Sequence, residues 1–372
     1  MITMRSVKQV KNKPTFQWPW LHPRFWALWL IFAVWLLLVQ LPYPLLTLMG
    51  KGVGRLLLIF GESRRLITQR NLELCFPELT AAERKKMLIE SFESGGMAFF
   101  EMGMAWWWPN KRLQKLCHVN GLEHVKNLKG QGAVLLGMHF TTLDIGGTGL
   151  SLYQSYGSMY RTHENPVFDY VQLRGRSRER FVSDDELVLF PREDLRTMIR
   201  LLKQGKLVWY APDQDYGKQH GVFAPFFGIP AATITATAKL VQMGKARVLP
   251  FTHKRLANGK GYEITIHPPL ENYPTGNEVE DATRINQEIE KYIRLNPGQY
   301  LWAHRRFKSR PKGVENRYPE VYTARVARRI KRIEREQKET RESGDMEAAE
   351  HLREKKEQWE LTQKEISRQK AK

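Results

Sequence analysis

The sequence predicts an α/β domain, and three observations carry that reading. Short apolar runs bounded by glycine or polar residues recur at 133–138, 156–160, 207–211, 247–251 and 262–267, and such runs read as buried strands. Segments with helical apolar spacing stand between them, and strands alternating with helices require a sheet covered by helices. The run 133–138 ends in His139, which puts a titratable side chain at the C-terminal end of a strand. α/β sheets place their chemistry there.

Composition narrows the field. The 372 residues carry 59 Lys and Arg against 39 Asp and Glu, a formal net charge of +20. That excess suits an anionic partner, whether nucleic acid, acidic lipid or an acidic carrier protein. The two cysteines, Cys75 and Cys117, exclude a disulfide framework and a zinc pattern and fit a reducing compartment. Both read as small core residues. With no P-loop and no GxGxxG fingerprint, the sequence points to no nucleotide cofactor and to no metal.

Residues 1–24 form a basic, polar segment with Arg5, Lys8, Lys11, Lys13 and Arg24. Residues 25–41 are uncharged and dense in Trp and Leu; Pro42 and Pro44 interrupt them, and apolar residues resume to Met49. We read 25–49 as an N-terminal membrane-associated helix. Seventeen uncharged residues are the low end for a span, so spanning and shallow anchoring both stay open. The segment is too long for a signal peptide and has no small-residue cleavage site. Residues 62–128 read as helical, with Met87, Leu88, Phe92, Met97, Phe100 and Met104 at helical spacing. Trp106, Trp107 and Trp108 precede Pro109, and three adjacent Trp are not expected to share one core.

A helix is expected from Leu143. After the strand at 156–160 come Arg161 and, further on, Arg174, Arg176, Arg178 and Arg180. These arginines are either a solvated face or a phosphate-binding set, since Arg forks match phosphate oxygens. Residues 194–204 read as an amphipathic helix stopped by Gly205. The strand at 207–211 ends in PDQDYG, where Asp213 and Asp215 mark either a site rim or an ordinary turn. Helices are expected at 234–243 and 279–295. Residues 299–311 carry four Lys and Arg among aromatics. From residue 320, 15 Lys and Arg against 12 Asp and Glu give net +3, leaving +17 for the first 319 residues. We read 319–372 as a charged helical tail, solvated, broken near Gly344 and too poor in apolar residues for its own core.

Asp144 follows His139 by five residues. On a regular helix such a pair would point about 140° apart, but at a strand-to-helix turn the two can meet. A carboxylate on one imidazole nitrogen fixes the tautomer and makes the other a better base. His139 and Asp144 are therefore a candidate base and orienter; a hydrogen-bonded core histidine is the alternative. The same spacing at His118 and Glu123 lacks a preceding apolar strand and reads as accidental.

Nine stretches then carry a resemblance: HPRFW, LPYPLL, RNLELCFPE, FESGGMAFFEMGMAWWWP, HFTTLD, YRTHENP, VWYAPDQDYG, FAPFF and QYLWAHRRFKSRP. In this order they resemble the late acyltransferases of lipid A biosynthesis in Gram-negative bacteria, the lauroyl and palmitoleoyl transferases above all, over about residues 22–318. The resemblance implies a glycerolipid-acyltransferase-like α/β fold, a mixed sheet flanked by helices, with 50–318 as the acyltransferase domain. It implies transfer of a fatty acyl chain, lauroyl or similar, from acyl carrier protein to a hydroxyacyl chain of Kdo-bearing lipid IVA. The expected place is the inner membrane, with the catalytic domain facing the cytoplasm.

The H-x4-D/E motif of the wider superfamily falls on His139 and Asp144; several close members carry the longer Glu at the second position. The family's Arg after the next strand falls on Arg161 and its PDxDYG acid on Asp213, both as groups that bind substrate or the transition state. Arg174 joins them from the basic run. Expected partners are acyl carrier protein, a lipid A precursor and the inner membrane, not nucleic acid; no cofactor is expected beyond the carrier thioester. In this scheme His139 takes the proton of the acceptor hydroxyl, and the oxyanion falls to backbone N–H groups near Gly146 or to Arg161. A glycerophospholipid acyltransferase shares the H-x4-D motif but not the N- and C-terminal blocks. A non-enzymatic basic protein binding anionic lipid explains the charge but not the His–Asp pair.

Overall fold

A computed structural model describes residues 14–177, 188–192, 194–343 and 346–370. The basic residues expected at positions 5–13, Arg178 and Arg180 of the arginine run, and the break at Gly344 lie outside the described residues. Helices α1 (Trp26–Leu38), α2 (Tyr43–Phe60), α3 (Glu62–Cys75), α4 (Ala81–Trp107) and α5 (Asn110–Gln114) precede strand β1 (Cys117–Asn120). Then come α6 (Leu122–Lys126), β2 (Ala133–Leu136), α7 (Leu143–Ser151), β3 (Gly157–Tyr160), α8 (Pro166–Arg176), β4 (Val188–Pro191), α9 (Leu195–Lys203) and β5 (Leu207–Tyr210). The hairpin β6 (Gly221–Phe226) and β7 (Ile229–Ile234) leads to α10 (Ala236–Gly244), β8 (Arg247–Arg255), β9 (Tyr262–Ile266) and α11 (Glu278–Leu295). Helices α12 (Pro319–Glu342) and α13 (Met346–Lys370) close the chain.

Seven strands form one sheet in the order β1-β9-β8-β2-β5-β3-β4. Pairs are parallel except β8 with β9, so the sheet is mixed. β2 is central and buried on both faces. Val134 and Leu136 point into one apolar core, Ala133 and Leu135 into the other, as the two-residue strand period requires. The first core is closed by α9, α10 and α11, the second by α1, α4 and α7. The residues expected to be helical at 117–120 instead add β1 as an edge strand, paired with β9.

The N-terminal apolar segment is two helices. Pro42 caps α2, and Pro44 sits in its first turn; proline suits that position because its missing N–H is one the helix start leaves unpaired. α1, at 13 residues, reaches about 20 Å and is short for a bilayer core of ~30 Å. Among the described residues α2 is the one helix long and apolar enough to cross a membrane. Gly50 and Gly54 of α2 face Gly96 of α4 so closely that a Cβ on any of them would run into the other helix's backbone. Small residues one turn apart permit such an approach. The outer surface shows Trp26, Leu30, Ile31 and Leu37 of α1 and Leu48, Leu56, Ile59 and Phe60 of α2, all exposed.

Two further expectations change. Trp106 and Trp108 are both fully buried in the same core, with Trp107 packed against it. α4 ends at Trp107, and the extended backbone at Trp108 swings its ring back inward, where Nε1 donates to Val39 O at 2.6 Å. The charged tail is not a solvated rod. Val326, Ile330 and Ile333 form one stripe of α12 and are buried, since α12 and α13 pair as a hairpin that also rests on α3. Lys356 Nζ reaches Glu334 Oε1 across the hairpin at 2.9 Å, and Tyr318 O–H donates to Asn71 Oδ1 of α3 at 2.7 Å.

Candidate active site

Register brings the central side chains together. β2 and β5 are parallel neighbours with Leu136 opposite Tyr210. The chain runs three residues past each strand, to His139 in one case and Asp213 in the other. Equal overhang on adjacent parallel strands sets both side chains at one height above the C-terminal rim. His139 Nδ1 lies 2.6 Å from Asp213 Oδ1. The His139 backbone N–H donates to Asp213 Oδ2 at 2.8 Å, and the Tyr300 O–H donates to the same oxygen at 2.9 Å. Asp213 is wholly buried, whereas His139 leaves 20% of its side chain accessible.

Burial works against charge on both groups, and their mutual attraction outweighs it. His139 is held above its ordinary value of 6.5, against its burial, by the Asp213 charge and hydrogen bond. The Asp213 carboxyl, against its burial, is drawn down to about 2 by His139 and by the donors around it. With Nδ1 occupied by a carboxylate, Nε2 is the nitrogen left for proton transfer.

The sequence pairs His139 with Asp144; the structure does not. Asp144 stands in the first turn of α7, and its Oδ1 accepts from Arg176 Nε (3.1 Å) and Nη2 (2.9 Å) in the last turn of α8. The strand end turns the imidazole toward β5, while the helix start turns the carboxylate toward α8. Arg161, just past β3 on the same rim, and Arg174 of α8 are both exposed. No hydrogen bond or ion pair joins either to His139 or Asp213 among the described residues. The Gly146 N–H donates to Thr142 O at 2.8 Å, so α7 consumes it and it is no oxyanion donor. Asp215, the second acid of the loop, accepts from the Gly217 and Ser309 N–H groups (2.8 and 2.6 Å) and ties the turn to the 304–309 segment.

Beneath the site the packing is close. His253 of β8 is buried under α7, with Nδ1 2.8 Å from Thr142 Oγ1; a Cβ on Gly146 would strike its ring. Burial, then the neighbouring His139, lowers His253 to about 4, so it stays neutral. Arg255 of β8 and Glu101 of α4 form a buried two-pronged ion pair (2.6 and 2.7 Å), which Tyr262 O–H joins at 2.8 Å. Gln299 Nε2 donates to Arg255 O at 3.0 Å. Tyr300 and His253 went unassigned in the sequence, and Arg176 stood there only as one of the arginine run. The matched overhang of HF after β2 and PD after β5 was the one signal that could have joined His139 to Asp213.

Beside the site a groove of about 390 Å³ runs from Leu57 of α2, past Phe92 and Gly95 of α4, to Thr141, Leu301 and His304. Thr141 is two residues past His139.

A histidine anchored through one nitrogen by a buried carboxylate, at the C-terminal rim of a helix-covered sheet, is an arrangement able to move a proton to or from a bound substrate. Residues 13–309 match the model of the bacterial lipid A biosynthesis acyltransferases. The chain is 43% identical over 310 residues to the lipid A biosynthesis lauroyltransferase of Escherichia coli K12, across 82% of this chain and 99% of the relative. It is 42% identical over 306 residues to the palmitoleoyltransferase of the same organism, across 82% and 98%. With the myristoyltransferase the figures are 31% over 310 residues, 81% and 92%. The chain belongs to the bacterial lipid A biosynthesis acyltransferase family.

Proposed function

We propose that this enzyme transfers a fatty acyl chain, lauroyl or one of similar length, from acyl carrier protein to a hydroxyacyl chain of Kdo-bearing lipid IVA, at the cytoplasmic face of the inner membrane. The observation that carries the chemistry is the His139–Asp213 pair. Nε2 takes the acceptor hydroxyl's proton as the hydroxyl oxygen bonds to the thioester carbonyl carbon. The carbon–sulfur bond then breaks, and the thiolate leaves with the proton returned from Nε2. A positioned base of this kind contributes roughly 10²–10⁴-fold. Asp213 keeps Nδ1 protonated and steadies the imidazolium. No cofactor enters, because the thioester is already activated.

The rest of the rim supports the same reading. Arg161 and Arg174 suit the phosphates and sugar acid of the acceptor, and Asp144 holds Arg176 between α7 and α8 for the same anionic ligand. The groove from Leu57 to Thr141 suits a hydrocarbon chain, and the exposed apolar faces of α1 and α2 suit a bilayer. The +17 borne by the first 319 residues fits an acidic carrier and an acidic lipid. The glycerolipid-acyltransferase-like fold agrees with the mixed sheet and the histidine at the end of its central strand.

Purified protein with a panel of acyl carrier protein thioesters, and with lipid IVA bearing or lacking the sugar acid, tests this directly. Expected is one added acyl chain on the acceptor, lost in His139→Ala. Acylation of glycerol phosphate or a lysophospholipid instead would assign the enzyme to the glycerophospholipid class.

A further inference from the structure

Asp213 has a third donor that the acyl-transfer scheme leaves without a role. Residues 299–301 lie antiparallel against 139–141, with Phe140 opposite Tyr300. The Thr141 N–H donates to Gln299 O at 2.8 Å, and the Leu301 N–H donates to His139 O at 3.0 Å. The segment from beyond α11 therefore grips the backbone of the proposed base itself. The Tyr300 ring sits edge-on against Phe140 and Trp302, 5.9 and 4.8 Å between centroids. Its O–H, 2.9 Å from Asp213 Oδ2, is aimed at the oxygen that the His139 backbone N–H also reaches. Both residues are almost entirely shielded from water.

We propose that Tyr300 is a positioning residue for the acyl-transfer base: its hydroxyl fixes the Asp213 carboxylate so that the other oxygen faces His139 Nδ1, and it limits how strongly that carboxylate draws the imidazole proton. The inference rests on His139 being the base. A hydrogen bond to an ionised carboxylate in a dry site is strong, and one that spreads the carboxylate's charge weakens its pull on a second partner. Without the hydroxyl, Asp213 would bind the imidazolium more tightly. His139 would give up its proton less readily and become available as a base only at higher pH.

The surroundings keep this simple. Facing the pair are His253 on β8, Tyr216 after β5, and His304 and Arg306 beyond Tyr300; Asp144 on α7 acts on His253 and Asp215 on His304. Burial holds His253 and His304 down at about 4, so neither changes charge where His139 titrates. Tyr300 is itself pushed well above its ordinary range by burial and by Asp213, so it remains a donor throughout.

The test is Tyr300→Phe in the full chain, read by the NMR titration of labelled His139 and by the pH profile of kcat. The expected result is an upward move of about 0.5 pH unit or more in both, with kcat at neutral pH down by about threefold or more and KM within twofold. A titration midpoint unchanged or lowered, in a variant that melts like the wild type, overturns the inference. If Tyr300→Phe does not fold, site-specific 3-fluorotyrosine at position 300 keeps the shape and strengthens the donor. It should move the His139 midpoint down, and no movement overturns the idea. The titration needs no substrate, so it stands even if acyl transfer to lipid IVA fails to appear.

Discussion

His139 and Asp213 form a coupled pair, and their shifts run in opposite directions. Asp213, lowered to about 2 from 3.8, contributes stability above about pH 4 that is lost as pH falls through about 2. His139, raised from 6.5, contributes stability below about 6.5 that is lost as pH rises through its folded value. Thermal melts should therefore show the pair's stabilisation greatest between about pH 4 and 6.5. The proposed mechanism needs the neutral imidazole, so kcat/KM should rise with pH along a limb above 6.5. Asp213→Asn should lower turnover by about 10⁴-fold, since the wrong tautomer and a missing counter-charge cost that much in other His–Asp sites. It should also remove the upward displacement of the limb, because burial then acts on His139 alone. Asp144→Asn should leave the limb where it is and act on acceptor KM instead, by freeing Arg176. A limb displaced by Asp144→Asn would restore Asp144 as the orienter.

Between elements, the crossing of α2 and α4 carries the groove. Gly54 and Gly96 admit no side chain, and Gly96→Leu should destabilise the fold by several kcal/mol through overpacking. Gly95, one residue away, faces open space. Gly95→Leu should therefore fold normally and fill the groove beside Phe92. If an acyl chain lies there, the variant should prefer donors shorter by two or more carbons, measured as the ratio of kcat/KM across the thioester panel; one methylene is worth only about 1–3 kcal/mol of discrimination. An unchanged ratio would move the chain elsewhere. The Arg255–Glu101 pair ties α4 to β8 a few residues from this groove. Glu101→Ala would strand a buried guanidinium and should cost about 3–5 kcal/mol, seen as a large drop in melting temperature.

For the molecule as a whole, the question is what the C-terminal hairpin does. The family match ends at residue 309, before α12 begins at Pro319. The buried stripe Val326, Ile330 and Ile333 nevertheless shows that α12 and α13 cover one another, and Tyr318 fastens them to α3. Truncation after Tyr318 should keep kcat/KM within a few-fold of the full chain while lowering the melting temperature by a few degrees. Loss of activity in a truncated protein that still melts cooperatively would make the hairpin part of the site.

The sequence by itself determined the α/β class, most strand and helix positions and the family, and it singled out His139 and Asp213 as candidates. These follow from periodicity, from turn residues and from motifs contiguous in the chain, all of them local. It could not choose the partner of His139. Chain spacing favoured Asp144, five residues away, whereas the register of β2 against β5 brought Asp213 from 74 residues away. It also missed Tyr300, which arrives through an antiparallel clasp with residues 139–141, and the turn of Trp108 back into the core. Local patterns record which face of an element is apolar. Which two elements become neighbours is decided by burying those faces together, and only the folded sheet states the answer.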